Sequence, residues 1–392
     1  MDALMLPLNW QRVRLGDIGK PCMCKRVMKH QTTRYGEIPF YKIGTFGNTA
    51  DTFISKKLFL EYRTKYSFPK KGDILISASG TIGRVVIYDG KPAYFQDSNI
   101  VWIDNDETLV KNDFLFYAYS NVKWNTEHTT ILRLYNDNFR NTLIPLPPLN
   151  EQNAIANILS GLDRYLCALD ALILKKESVK KALSFELLSQ RKRLKGFNQA
   201  WQRVRLGDIC EIGNGGAYET LIVEDGDFKL ISLNSIDIDG NLKNTMKRVS
   251  FYDNSLKQDD IVMVLSDVAH GDFLGLCAVI PSNDYVLNQR MGRLRIRNDC
   301  INILFLRLYI NANQKYFKMQ GQGSSQLNLS KKAIEDFEIL LPPLNEQNAI
   351  ANILSTLDNE ITSLKNKKRQ FENIKKALNH DLMSAKIRVL EK

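Results

Sequence analysis

No run of eighteen or more apolar residues occurs in the 392-residue chain, which excludes an ordinary membrane-spanning helix. Met1–Arg14 has neither the basic start nor the apolar stretch of a secretory signal, so a cytoplasmic protein with no membrane partner is expected. Cysteine is scarce: of six residues only Cys22 and Cys24 are close, no Cys-x-x-Cys pair exists, and His30, His128, His270 and His380 lie far apart. Metal-ligand spacing is missing, and a reducing compartment argues against disulfides. There is no Gly-x-x-x-x-Gly-Lys-Ser/Thr loop, since Gly213–Gly216 lacks the lysine, and no motor is expected. The Pro-Pro pairs stand between leucines, not in the Asn/Asp-Pro-Pro-aromatic run that adenine methylation uses. Paired acids such as Asp259–Asp260 and Glu335–Asp336 are common surface features rather than a nuclease centre. No catalytic residue, metal site or cofactor is expected in this chain.

Lysine and arginine outnumber acids by 54 to 43, for a net charge of +11 and a pI near 9.2. That balance suits a polyanionic partner, whose condensed counterions are released on binding, but equally suits plain solubility. Arrangement has to decide. "LPPLNEQNAIANILSGLD" at Leu146–Asp163 recurs as "LPPLNEQNAIANILSTLD" at Leu341–Asp358, with only Gly161 replaced by Thr356. "WQRVRLGDI" at Trp10–Ile18 recurs unchanged at Trp201–Ile209, and "KKAL" at Lys180–Leu183 recurs at Lys375–Leu378. Each half thus has a fixed leading motif, a long variable block and a fixed closing motif, the mark of a twofold-repeated architecture.

The variable blocks, Gly19–Pro145 and Cys210–Leu340, are rich in strand signals. "GDILISASGTIGRVVIYDG" (Gly72–Gly90), with turns marked by Gly80 and Gly83, has the outline of "DDIVMVLSDVAHGDFLGLCAVI" (Asp259–Ile280). "NIVWIDND" from Asn99 answers "GRLRIRND" from Gly292, and "TTILRLYND" answers "GSSQLNLSK", so the blocks read as divergent copies of one α/β fold. Past each Pro-Pro pair the apolar positions step alternately by four and three. One such seam passes through Leu159, Leu162, Leu166 and Leu169, and the other through Leu354, Leu357, Ile361 and Leu364. That period predicts two long helices whose seams bury each other as an antiparallel intramolecular coiled coil. Asn150 and Asn345 are expected as N-caps, with Glu151 and Glu346 at the positive end of the dipole. Lys176, Lys180, Lys368 and Lys375 on the seams either fix register or snorkel at its edge, and snorkelling is the favoured reading.

The two motif pairs flanking dissimilar blocks resemble the specificity subunit of type I restriction-modification enzymes, over essentially the whole chain. The resemblance implies an α+β, pseudo-twofold molecule. Residues 1–145 and 196–340 would be target recognition domains, and residues 146–195 and 341–392 conserved helical repeats forming the coiled-coil spacer. It also implies double-stranded DNA as ligand, each domain reading half of a bipartite site. Two methyltransferase subunits would dock on the repeats, with restriction/translocase subunits joining through them. S-adenosylmethionine, ATP and magnesium would belong to those partners. Two identical methyltransferases need identical docking surfaces, and two different half-sites need different readers. A specificity subunit for a fused methyltransferase-nuclease and a coiled-coil scaffold that binds no DNA remain as alternatives.

Candidate DNA contacts are chosen from polar loops and basic strands. Arg293, Arg295 and Arg297 alternate with apolar residues, so one strand face would carry three guanidinium groups for phosphate or guanine, or would simply be solvated. Arg290 precedes them. In the first block the candidates are Lys25 and Arg26 as phosphate or surface charge, Lys42 and Thr45 in a Gly-rich loop, Ser79, Thr81 and Arg84 around the Gly80 turn, and Arg133 with Tyr135. Ser324, Gln326 and Asn328 are the comparable loop of the second block.

Overall fold

The computed structural model describes residues 7–128, 132–268 and 271–389. Met1–Leu6, Thr129–Ile131, Ala269–His270 and residues 390–392, parts of stretches read above, lie outside the described residues. The chain divides into two compact units, Met1–Asp170 with Asn366–Lys392, and Ala171–Lys365.

In the first unit the leading motif becomes a strand, Gln11–Arg14, that pairs antiparallel with Leu143–Leu146, Gln11 opposite Leu146. The chain then forms β1 (Gly19–Met23), β2 (Ile74–Ser77), β3 (Val85–Ile87) and β4 (Ile100–Asn105), arranged in the order β1-β4-β2-β3. All four residues of β2 are buried, because both faces of this sheet are covered. Ile74 and Ile76 join Trp10, Leu15 and Phe114 on one side, and Leu75 joins Trp102, Tyr94 and Phe59 on the other. A second sheet pairs Ile38–Tyr41 in parallel with Tyr94–Phe95. The turn after β2 needs its glycines: Gly80 and Gly83 have φ of +64° and +87°, and a Cβ on Gly83 would meet the Trp124 indole at 2.6 Å.

The second unit repeats this plan in different residues. Gln202–Arg205 pairs with Glu338–Leu341. The strands β5 (Cys210–Asn214), β6 (Ile261–Val264), β7 (Cys277–Val279) and β8 (Met291–Ile296) take the order β5-β8-β6-β7. Phe228–Ile231 runs parallel to Tyr285–Leu287 in a second sheet. The sheet registers correct one expected correspondence: Ser77 faces Ile100 and Val264 faces Met291, so Asn99 corresponds to Arg290, not to Gly292.

The two long helices are α1 (Leu149–Leu188) and α2 (Leu344–Met383), forty residues each and so about 60 Å long. Each starts earlier than expected. The carbonyls of Pro148 and Pro343 accept the first helical bonds, from Gln152 and Gln347, so Asn150 and Asn345 lie inside the first turn rather than capping it. Within the first unit the helices run antiparallel, with Lys375 on Asp163, Lys368 on Asp170 at 2.7 Å, and the Tyr165 and Phe371 rings 4.7 Å apart. Within the second unit Lys176 meets Glu360 at 2.8 Å, Lys180 meets Asp358 and Lys365 meets Glu177 at 2.7 Å. Leu159, Leu169, Leu354 and Ile361 are buried in the seams, and Leu162, Leu166, Leu357 and Leu364 partly so. The four seam lysines therefore do not snorkel freely. Each ends on a carboxylate of the facing helix, and pairs this exposed contribute register more than stability.

Candidate nucleic-acid interface

Much of the duplicated sequence is spent inside each unit. In the first, the buried Glu151 carboxylate accepts from Trp10 Nε1 at 3.0 Å and from Arg388 Nε and Nη2 at 2.7 and 2.9 Å. In the second, Glu346 accepts from Trp201 Nε1 at 3.0 Å and from Arg193 at 3.1 and 2.6 Å. The adjoining glutamine is copied with its bonds. Gln152 donates to the carbonyls of Leu109 and Pro147 and accepts from Lys111 N, while Gln347 donates to Cys300 and Pro342 and accepts from Asn302 N. Buried polar groups must be satisfied, so the Trp–Glu–Arg staple fastens the leading motif, and the glutamine a loop of the variable block, to the helix start. The outer side of the same turns is copied too, although it faces solvent. Leu149, Asn150, Asn157 and Ile158 are exposed, as are Leu344, Asn345, Asn352 and Ile353.

The variable side chains gather at the ends of the central strands. In the first unit Ser77 closes the turn after β2, its hydroxyl donating to Thr81 O at 2.5 Å and accepting from Arg84 N at 2.8 Å. Arg84 Nη1 donates to Phe46 O at 2.8 Å, pinning the loop of Lys42 and Thr45 beside the turn. Ser79 Oγ donates to Asn99 Oδ1 at 2.7 Å, and Arg133 Nη2 donates to the same oxygen at 3.1 Å. Asn99 and Arg133 line a cleft of ≈ 620 Å³ with Arg26, Lys29, Arg34 and Lys42, a cationic basin suited to a phosphate backbone. Arg26 is held by Asp97 at 2.8 Å and Lys42 by Asp51 at 2.9 Å; the Lys42 ammonium keeps the Asp51 carboxyl below its usual range. Lys25 turns away, its ammonium 5.1 Å from the Tyr66 ring. Thr81 is exposed on the turn, outside the cleft, and Tyr135 precedes the helix Asn136–Asn141.

In the second unit Ser266 Oγ donates to Asn328 Oδ1 at 2.7 Å, and Gln326 Nε2 donates to Ser266 Oγ. Ser324 is exposed on the loop before them. Arg290 is exposed in a loop held by Asn288 and Gln289, which donate to Glu219 at 2.9 and 3.2 Å; the Asn288 amide holds the Glu219 carboxyl below its usual range. The triple-arginine strand face needs correction. Arg295 makes a bidentate pair with buried Asp260 at 2.8 and 2.7 Å, and Arg293 binds Ser255 O at 3.0 Å and Glu211. Both are committed because β8 lies between β5 and β6, whose ends supply those carboxylates. Arg297, beyond the strand, is exposed. Among the cleft residues that were missed, Asn99 lay at the edge of a strand signal, and Arg34 in a stretch with no apolar period.

Among the described residues no helix is long and apolar enough to cross a membrane, and no group of three His, Cys, Asp or Glu is placed to hold a metal ion.

A model of the type I restriction modification DNA specificity domain matches residues 7–177 and again 198–373. A Haemophilus influenzae protein assigned as a type I restriction enzyme specificity subunit, S.HindORF215P, is 62% identical over 152 residues, which is 38% of this chain and 40% of that protein. The MjaVIII type I restriction enzyme specificity subunit of Methanocaldococcus jannaschii is 28% identical, over 99% of this chain and 95% of that one. Among solved structures, the type I restriction-modification S subunit from M. genitalium superposes with a TM-score of 0.65, at 19% identity and covering 97% of both chains.

Proposed function

Because the chain belongs to the type I restriction-modification DNA specificity family, both halves of it matching that domain, we propose that it reads a bipartite DNA site and carries two methyltransferase subunits to it. Each unit takes one half-site. The observation that supports this is a division within the repeats: the two units share one strand order, yet the side chains at the corresponding strand ends differ, Asn99 and Arg133 in one against Arg290 and Asn328 in the other. A common frame with unlike contact residues is what two unlike half-sites require. The outer face of each helix start, with exposed Leu149 and Ile158 in one copy and Leu344 and Ile353 in the other, offers the same surface twice and suits two copies of one partner. Catalysis, and with it S-adenosylmethionine, ATP and magnesium, belongs to the methyltransferase and to the restriction/translocase subunits that join through it.

The test is methylome sequencing of cells expressing the chain with its methyltransferase, before and after exchange of Gly19–Pro145 for the corresponding block of another family member. One half of a split, asymmetric motif is expected to change while the other half stays. A change in both halves, or in neither, refutes the modular reading. Binding by the purified complex is expected to weaken steeply with salt.

A further inference from the structure

In both units one backbone frame at the strand ends carries side chains of exchanged chemistry. Ala78 N donates to Asn99 O and Leu134 N to Ala78 O; Leu265 N donates to Arg290 O and Leu329 N to Leu265 O. This backbone frame puts Ser266 in the place of Ser79, Arg290 in that of Asn99 and Asn328 in that of Arg133. The serine is kept and buried in both, and in both its hydroxyl donates to an asparagine Oδ1 at 2.7 Å. The strand that carries the amide and the strand that carries the guanidinium have traded places. A structural hydrogen bond alone does not call for that trade.

In the first unit the cluster has a definite polarity. Arginine has no acceptor, so the Asn99 atom facing Arg133 Nη2 at 3.1 Å is the amide oxygen, and Ser79 Oγ, 2.7 Å from the same oxygen, donates to it. Both acceptor positions of Oδ1 are filled. The Ser79 oxygen keeps acceptor lone pairs but is only 6% exposed, so what Asn99 and Arg133 have left to offer a ligand is donors, on the guanidinium and on the amide nitrogen. Ser98, the residue before Asn99, is held at φ +59°, a left-handed conformation that a serine adopts only under constraint from its surroundings. Asn99 and Arg133 also line the cationic cleft, so the same surface that draws the phosphate backbone presents these donors.

The donors that Asn99 and Arg133 present match an edge with two acceptors. In the major groove that edge is guanine, with O6 and N7, whereas adenine pairs an acceptor with a donor. Resting on the reading of the chain as a DNA specificity subunit, we propose that the Ser79–Asn99–Arg133 cluster reads a guanine in the half-site taken by the first unit.

The test uses the purified complex and the motif returned by methylome sequencing. Each guanine of the half-site assigned to the first unit by the block exchange is replaced in turn, and binding is measured for the wild-type complex and for Arg133→Lys and Arg133→Gln. For the wild type, one replacement is expected to weaken binding about tenfold or more. That penalty should vanish in Arg133→Gln and shrink in Arg133→Lys, because lysine keeps the charge but not the fork, while penalties at the other guanines of that half-site stay. If every penalty persists and Arg133→Gln only weakens binding uniformly and lowers the salt slope, Arg133 is a phosphate anchor and the proposal is wrong. If the Arg133 variants bind no site, Ser79→Ala is read in the same assay. Freeing an Asn99 acceptor should let that position accept adenine, and an unchanged preference overturns the proposal. A wild type that methylates no bipartite motif defeats the family-level function instead.

Discussion

Replacing Gln347 by leucine separates the two roles of the closing motif. Gln347 is 1% exposed, donates to Cys300 O at 3.0 Å and Pro342 O at 2.8 Å, and accepts from Asn302 N at 2.8 Å. Leucine nearly fills the space and leaves all three backbone groups without this partner. Three neutral hydrogen bonds at about 1 kcal/mol net each sum to about 3 kcal/mol, and the desolvation cost of orphaned groups works against the apolar gain of the new side chain. At 1.4 kcal/mol per tenfold, backbone amides around 300–302 and 344–347 should exchange with solvent roughly a hundredfold faster by mass spectrometry. The first unit, whose Gln152 makes its own three bonds, should keep its protection. Asn352→Ala, on the exposed copied face, should leave exchange unchanged and weaken capture of the methyltransferase. An effect below about threefold for Gln347→Leu, or an equal effect in both units, would refute the assignment of this glutamine to the fold.

Three further outcomes follow from the same geometry. Arg295→Ala should destabilise the second unit, since Asp260 is only 3% exposed in side chain and loses a bidentate partner, yet leave the methylated motif unaltered; a changed second half-site would return Arg295 to the interface. Reversing the Lys180–Asp358 pair by exchanging the two residues should cost under about 1 kcal/mol in thermal unfolding, while either single replacement costs more, and a large loss in the exchanged protein would mean that the seam does more than set register. Arg388→Met removes the cation from Glu151, so protection should fall around Trp10 and 149–152 although the change lies near the other terminus; loss confined to the second unit would contradict the staple.

What was legible in the sequence followed from period and repetition. Pro-Pro pairs followed by a four-three apolar step located both long helices, and identical motifs around unlike blocks located two units of one plan. The reading failed where long-range register decides. Alternation correctly placed Arg293 and Arg295 opposite buried Leu294, but a strand's own sequence does not say what covers the polar face, here Asp260, Glu211 and Ser255. Asn99 gained its meaning only once Ser77 and Ile100 were seen to be paired, because a shift of two residues in the comparison had set it against a glycine. The staple was equally hidden: Trp10 and Glu151 are 141 positions apart, and Glu151 and Arg388 are 237 apart.

The folded units do not coincide with the sequence repeats, and that offset accounts for which repeated residues stay alike. The first unit takes its last segment, Asn366–Lys392, from the end of the second repeat, whereas the second unit contains the end of the first repeat. Each helix tail therefore completes a core built around the same leading motif. Leu187 and Leu188 pack with Leu206 and Ile350 in one unit, and Leu382 and Met383 with Leu15 and Ile155 in the other. A tail must also bring an arginine to a buried glutamate, which holds Arg193 and Arg388 at the same distance past Leu188 and Met383. Positions facing outward on the same turns are released from this demand, and they differ: Phe185 against His380 and Lys192 against Ile387. Identity along the tails thus tracks what each residue must fit in its own unit. On the helix starts, exposed Asn157 and Ile158 match Asn352 and Ile353 where burial makes no such demand, and there a shared partner becomes the better reason for sameness.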